Sequence, residues 1–149
     1  MGKLQIMKLD LSQKNVLITG AATGMGRSSA LELAQHGANI SIVDINQDGL
    51  NEVSEKLKSM NANFTSDLMD VTSINEVEDK IEKIEQWFEG GINCLIHFAG
   101  VLEGSVVDID ELTPETWNRI ININLNGTYN VTRACLLYTS PSPRDPRES

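Results

Sequence analysis

A short apolar strand that leads into a glycine-rich turn and a helix is the feature that most constrains this chain. Residues 15–19 (Asn-Val-Leu-Ile-Thr) are almost all apolar and largely β-branched, which is typical of a parallel strand buried on both faces. Residues 24–36 carry apolar positions on one helical face, and Gly37 follows where a left-handed C-terminal cap belongs. This stretch predicts the first strand–helix unit of an α/β domain.

The same alternation repeats along the chain. Further strands are predicted at residues 39–44, 64–67 and 93–98, and further helices at residues 47–60 and 73–88. Thr113-Pro114-Glu115 predicts the start of another helix or helix pair, with a threonine cap and proline in the first turn. The predicted fold class is therefore α/β, a doubly wound parallel sheet with helices on both faces.

Length and charge exclude several classes of protein. The chain has 149 residues, 40% of them apolar, with 12 basic and 21 acidic side chains and a net charge of −9. This size suits one domain, and the excess of acid argues against a nucleic-acid partner. No apolar run is long enough to span a bilayer, and two cysteines are too few for a disulfide scaffold or a zinc site. We expect a protein of a reducing compartment, the cytoplasm, without a membrane partner.

The turn Thr19-Gly20-Ala21-Ala22-Thr23-Gly24-Met25-Gly26 has the composition of a phosphate-binding loop. Gly20 permits a sharp turn out of the strand, Gly24 permits close approach of a pyrophosphate, and Gly26 permits the helix to pack close to the sheet. The helix N-terminus then offers free N–H groups and a partial positive charge to the phosphates.

Asp44 ends the second predicted strand, twenty residues after Gly24. A carboxylate there can accept hydrogen bonds from the adenosine ribose hydroxyls and would repel a 2′-phosphate, which favours NAD over NADP. Arg27 could contact a phosphate in the same region and is the argument for NADP.

Together these residues resemble the short-chain dehydrogenase/reductase family, whose first turn has the spacing TGxxxGxG. Asp70-Val71 is similar to the family's pair beside the adenine ring, and Ala99-Gly100 to the close of its Asn-Asn-Ala-Gly motif. Residues 112–117 and 123–127 are similar to the approach and core of its long fifth helix. The resemblance extends from Val16 to Ala134 and implies a Rossmann-type domain truncated after the fourth strand and the start of that helix.

The resemblance also implies an activity: hydride transfer between a nicotinamide dinucleotide and a secondary alcohol or ketone, in a homodimer or homotetramer. Asn124 matches an asparagine that supports a proton relay in the family. The family's catalytic serine and Tyr-x-x-x-Lys would lie beyond Ala134, so this chain is expected to be inactive by itself. The cofactor-binding residues expected from the motifs are Gly20, Ala22, Thr23, Gly24, Met25, Gly26, Asp44, Ile45, Asp70, Val71, Phe98, Ala99 and Gly100.

The chain departs from the family at His97 and Phe98, where two asparagines are usual. We interpret His97 as a hydrogen-bonded structural group rather than a catalytic one. Cys94 is expected to be a small core residue, and His36 an exposed cap at a helix C-terminus.

The two ends of the chain are expected to lie outside the domain of residues 15–134. Residues 1–14 contain no secretory signal and predict a loosely packed leader. Residues 135–149 hold three of the four prolines, and Cys-Leu-Leu-Tyr-Thr-Ser-Pro-Ser-Pro-Arg-Asp resembles a translated adapter of short-read DNA sequencing. We therefore predict that this segment is a non-native tail.

Two other functions remain open at this point. One is a non-catalytic NAD-binding sensor of the same fold; the other is a different enzyme of the same architecture, such as a sugar-nucleotide epimerase or a methyltransferase. A Tyr-x-x-x-Lys further along the gene would separate the dehydrogenase from the sensor. Without the strands that follow, the fourth strand is expected to be an apolar edge that destabilises the chain.

Overall fold

All four predicted strands form in the computed structural model, which describes residues 9–103 and 107–138. The strands are β1 (Asn15–Thr19), β2 (Asn39–Asp44), β3 (Phe64–Leu68) and β4 (Cys94–His97). The helices are α1 (Gly24–Gln35), α2 (Gln47–Ser59), α3 (Ile74–Trp87), α4 (Pro114–Ile121) and α5 (Gly127–Tyr138), and a π-helical turn at Asn122–Asn126 joins the last two. No helix in these ranges is long and apolar enough to cross a bilayer.

The sheet has the order β3-β2-β1-β4, and every neighbouring pair is parallel. The chain thus crosses from one side of β1 to the other between β3 and β4. In doubly wound sheets this reversal opens a crevice at the carboxyl ends of the two central strands. The predicted fold class is confirmed, and β4 is an edge strand of the described sheet.

Two apolar layers cover the sheet, because side chains alternate between the faces of each strand. On one face, Leu17 and Val43 pack under α3 and α5. On the other face, Ile18, Ile40 and Ile42 pack under α1 and α2. All five side chains are fully buried, so the sheet positions the loops at its carboxyl edge rigidly.

A row of asparagines joins the amino ends of the four strands, and we call it the asparagine row. Asn63 Nδ2 donates to Asn39 Oδ1 and Asn39 Nδ2 donates to Asn15 Oδ1, both at 2.8 Å. The Asn15 backbone N–H donates to Asn93 Oδ1 at 2.9 Å. Side-chain amides thus fix the register at the edge of the sheet opposite the crevice.

Three expectations about local packing are wrong in whole or in part. Cys94 is exposed, because it begins the edge strand and has no neighbouring strand on one side. Residues 9–14 are not loose: Leu11 packs against the core, and its N–H donates to the carbonyl of His36 at 2.9 Å. His36 caps α1 as expected, but it is half-buried and donates from Nδ1 to the carbonyl of Leu9 at 3.0 Å. Residues 1–8 lie outside the described residues.

Helix α5 continues four residues past Ala134, where the sequence predicts the end of the domain. Cys135 lies on the inner face of α5, beside Val131 and Ala134. It is therefore only 6% exposed and belongs to the core that α3 and α5 cover. Residues 135–138 are therefore part of the fold. Residues 139–149 lie outside the described residues, and the foreign origin of the segment stays a prediction.

Candidate functional site

The glycine turn packs tightly at one position and is open at another. A Cβ on Gly26 would lie 2.1 Å from the carbonyl oxygen of Gly20, so only glycine permits this approach of α1 to the turn. Gly24 has a φ of +51°, and a Cβ there would have no neighbour within 4 Å. The turn thus leaves space in front of Gly24 at the N-terminus of α1, where main-chain N–H groups can bind an anion.

Asp44 links the turn to the end of β2. Its Oδ2 accepts from the Ala22 N–H at 3.0 Å, and its Oδ1 accepts from the Asn46 N–H at 2.9 Å. The carboxylate is half-buried beside the crevice, and each oxygen keeps a further lone pair for an outside donor. Two fixed N–H donors therefore hold Asp44 in one orientation at the edge of the turn.

A cavity of about 480 Å³ lies at the carboxyl ends of the strands. This volume is within the range of small-molecule sites. Most of the residues predicted to bind a cofactor line it: Gly20, Thr23, Asp44, Ile45, Asp70, Val71, Phe98, Ala99 and Gly100. The structure thus brings together motifs that are up to eighty residues apart in sequence.

The other predicted residues do not line the cavity. Ala22 is fully buried and contributes its N–H to Asp44, while Gly24, Met25 and Gly26 form the first turn of α1. The Met25 side chain is 69% exposed. The sequence analysis missed seven lining residues. Four of them are neighbours of predicted positions: Val43, Met69, Thr72 and Val101. The other three come from α4 and the π-helical turn: Arg119, Asn122 and Ile123.

Helix α5 fixes the pair Asp70-Val71. Asn130 is buried and donates from Nδ2 to the carbonyl of Val71 at 3.0 Å. A Cβ on Gly127 would lie 2.6 Å from Val71 Cγ2, so the glycine lets the helix approach this point. Asp70 Oδ1 accepts from the backbone N–H and the hydroxyl of Thr72. The loop after β3 is therefore held from both sides.

Thr19 joins the ends of β1 and β4. Its fully buried hydroxyl oxygen accepts from the Ala99 N–H at 3.2 Å and lies 2.8 Å from His97 Nδ1. The carbonyl of Thr19 also accepts from the Phe98 N–H at 3.1 Å. These bonds hold the Phe98-Ala99 wall of the cavity against the glycine turn.

The ring of His97 is half-buried beside the Thr19 hydroxyl. Nε2 is buried without a hydrogen-bond partner among the described residues. Burial lowers the pKa of His97 from its ordinary value of 6.5, so the ring is neutral at pH 7. These contacts support the structural interpretation of His97.

Asn124 lies in the π-helical turn, where the N–H of Gly127 bonds to the carbonyl of Asn122. Its side chain accepts from the Val101 N–H at 2.8 Å and donates to the Val101 carbonyl at 2.9 Å. Thr128 donates its hydroxyl proton to the main-chain carbonyl of Asn124 at 2.6 Å. The amide thus fixes the segment after β4 to the long helix.

Two arginines near the cavity form ion pairs. Arg119 lines the cavity and pairs with Glu103, and Arg27, one turn into α1, pairs with Glu52 of α2 at 3.0 Å. Among the described residues, no group of three or more histidine, cysteine or acidic side chains is arranged to hold a metal ion.

The parallel sheet, the glycine turn and the crevice at the strand reversal define a Rossmann-type nucleotide-binding domain. A sequence model of the short chain dehydrogenase family matches residues 14–142, which is most of the chain. The chain therefore belongs to the short chain dehydrogenase family. The match includes residues 135–142, the first part of the segment that we expected to be foreign.

Known relatives agree with this assignment. The chain is 30% identical over 128 residues to the 3-oxoacyl-[acyl-carrier-protein] reductase FabG of Thermotoga maritima, covering 86% of this chain and 51% of that protein. It is 34% identical over 128 residues to the 2,3-dihydro-2,3-dihydroxybenzoate dehydrogenase of Bacillus subtilis, covering 84% of this chain and 47% of that protein. A crystal structure of a short chain dehydrogenase from Mycobacterium smegmatis superimposes with a TM-score of 0.78 at 31% identity, covering 86% of this chain and 52% of that one.

The chain spans about half the length of the relatives that it matches. The residues that the family model matches contain the glycine turn, Asp44 and the cavity.

Proposed function

We propose that the whole protein is an NAD-dependent oxidoreductase that transfers a hydride between nicotinamide and a secondary alcohol or ketone. In this proposal the present chain is the dinucleotide-binding half, without the serine and the Tyr-x-x-x-Lys that complete catalysis in the family. The observation that carries the proposal is the Asp44 carboxylate, held by the Ala22 N–H of the glycine turn beside the cavity. This carboxylate joins the glycine turn, where the diphosphate would bind, to the cavity, where the sugar and ring would bind.

The described residues fit such a cofactor. The open space before Gly24 suits a diphosphate, because the N-terminus of α1 offers main-chain donors there. The walls formed by Ile45, Asp70-Val71 and Phe98–Gly100 suit a flat ring and its sugar. When bound, the dinucleotide supplies or accepts the hydride; this chain's residues would bind and orient it and exclude water.

Asp44 supports NAD in preference to NADP. Family membership implies a nicotinamide dinucleotide but does not distinguish the two. A carboxylate with acceptor capacity left can bind ribose hydroxyls, and its charge opposes a phosphate at the same place. Arg27, which could have favoured NADP, is engaged by Glu52.

We assign Asn124 a place in the proton relay of the whole protein, as the resemblance implies. Its side chain is engaged by both main-chain groups of Val101. In the relay Asn124 would therefore act as a positioning residue, which holds the segment after β4 in place. The π-helical turn changes the main-chain hydrogen bonding at the same position, which is a common feature of functional sites in helices.

The proposed partners are a small alcohol or ketone and further copies of the protein, in a homodimer or homotetramer. Several large apolar side chains of α4, the π-helical turn and α5 are exposed and suit an interface between subunits: Trp117, Leu125, Tyr129 and Leu136. The exposed thiol of Cys94 suits a reducing compartment, and we place the protein in the cytoplasm.

The test is a titration of the purified chain, and of the whole protein read from its gene, with NADH while nucleotide fluorescence is followed. We expect saturable binding by both, and turnover of secondary alcohols with NAD by the whole protein only. Absence of binding at millimolar NADH would contradict the proposal. Binding without turnover, in a whole protein that lacks Tyr-x-x-x-Lys, would support the sensor instead.

A further inference from the structure

Arg27 lies one helical turn from Thr23, a residue that lines the cavity. Its N–H donates to the carbonyl of Thr23 at 3.1 Å. Residues four apart on a helix share a face, so the Arg27 side chain leaves α1 below the cavity-lining Thr23. The arginine side chain is 28% exposed, so most of its surface is buried.

Glu52 places a carboxylate on this arginine from the neighbouring helix. Arg27 Nη1 lies 3.0 Å from Glu52 Oε2. One turn before Glu52, a Cβ on Gly49 would lie 2.7 Å from Ala22 Cβ, so α2 packs closely on the glycine turn. Ala22 is the residue whose N–H binds Asp44. The ion pair therefore joins α1 to α2, one turn from Gly49, the point at which α2 contacts the glycine turn.

The second arginine of this region is also neutralised, since Arg119 pairs with Glu103 at another wall of the cavity. A guanidinium is the side chain best suited to bind a phosphate through two parallel hydrogen bonds. Near a sugar site, an arginine without an acidic partner would favour a dinucleotide with an additional 2′-phosphate. Here the guanidinium of Arg27 is already paired with the carboxylate of Glu52.

We propose that Glu52 is a specificity-determining residue that keeps Arg27 from binding a 2′-phosphate and so strengthens the preference for NAD set by Asp44. This inference rests on the proposed function, because it requires that the cavity bind a dinucleotide. It adds a role for a residue that is not among those that line the cavity.

The experiment compares NADH and NADPH binding to the full chain and its variants by isothermal titration at low ionic strength. In Glu52→Gln the arginine loses its partner, and we expect the ratio of Kd for NADPH to Kd for NADH to fall about three- to tenfold. The control Glu55→Gln removes the same charge one turn further along α2, where Glu55 pairs with Lys58, and should leave the ratio unchanged. The double variant Arg27→Gln/Glu52→Gln should restore the wild-type ratio.

The outcomes separate this inference from the proposed function. If the wild-type chain binds neither nucleotide, the proposed function and the inference fall together. If it binds NADH but Glu52→Gln has the same ratio as Glu55→Gln, only the inference is overturned. Raising the ionic strength should reduce the difference between the two variants, since partly exposed charges are screened. Glu52 is 64% exposed, so its substitution should not prevent folding, which thermal unfolding checks.

Discussion

The side-chain amide of Asn124 accepts a hydrogen bond from the N–H of Val101 at 2.8 Å and donates one to its carbonyl at 2.9 Å. The two residues are 23 positions apart, and this pair is what joins the segment after β4 to the π-helical turn. The side chain of Asn124 thus makes the two main-chain hydrogen bonds of Val101 that a neighbouring strand would make in a sheet.

Replacing Asn124 by alanine should therefore loosen this segment. We expect Asn124→Ala to lower the free energy of unfolding by about 1–2 kcal/mol, because two hydrogen bonds are lost. Asn126→Ala is the matched control, since the Asn126 side chain bonds to Asn122 on the same exposed helical surface and its loss should change stability by less than about 0.5 kcal/mol. Urea unfolding measures both; equal effects would contradict the role given to Asn124.

Replacing Asp44 by asparagine should weaken dinucleotide binding more than folding. Asparagine keeps the size but loses the negative charge and one of the two acceptor oxygens, so it offers fewer acceptors to the ribose hydroxyls. We expect a loss in NADH affinity of about 10- to 100-fold. Asp48→Asn, in the first turn of α2, is the control. An unchanged affinity in Asp44→Asn would remove the main support for the proposed site.

Stability should fall on the acid side through His97. Because burial lowers the pKa of His97 below 6.5, the unfolded chain binds more protons than the folded one as the pH drops. The contribution of the neutral ring is present above the pKa of the unfolded state and is lost as the pH falls through the lower pKa of the folded state. His97→Asn should show a smaller acid-side loss, measured by urea unfolding at a series of pH values. His36→Asn, at the other histidine of the chain, should retain the loss.

The two cysteines should differ in reactivity. Cys94 is exposed, whereas burial, and secondarily the negative charge of Glu85, raises the pKa of the Cys135 thiol to about 12. A maleimide should modify Cys94 in the native chain and Cys135 only after denaturation. Mass spectrometry of Cys94→Ser and Cys135→Ala separates the sites. Native labelling of Cys135 would show that α5 does not pack as described.

The strands and most helices could be predicted because their signals are local. Residues 15–19 and 39–44 are short stretches rich in branched apolar residues beside turn residues, and both strands have the predicted limits. The motif Thr113-Pro114-Glu115 marks the start of α4 because capping depends on adjacent residues; Thr113 Oγ1 accepts from the Thr116 N–H.

The errors arise where the burial or the partner of a residue depends on tertiary contacts. Cys94 has the apolar surroundings of a core strand in the sequence, but its burial depends on how many strands flank β4. The contact of Thr19 with His97 joins residues 78 positions apart, and no local pattern indicates it. Arg119 lines the cavity only because the π-helical turn and α4 bring it there.

The asparagine row has a consequence for how the sheet can deform. It fastens the strands at their amino ends, whereas at the carboxyl ends the chain continues into loops around an open crevice. Local opening begins where a structure has the fewest buried contacts and internal bonds. When a molecule enters the crevice, the structure can therefore adjust at the carboxyl ends of the strands while their amino ends stay in register.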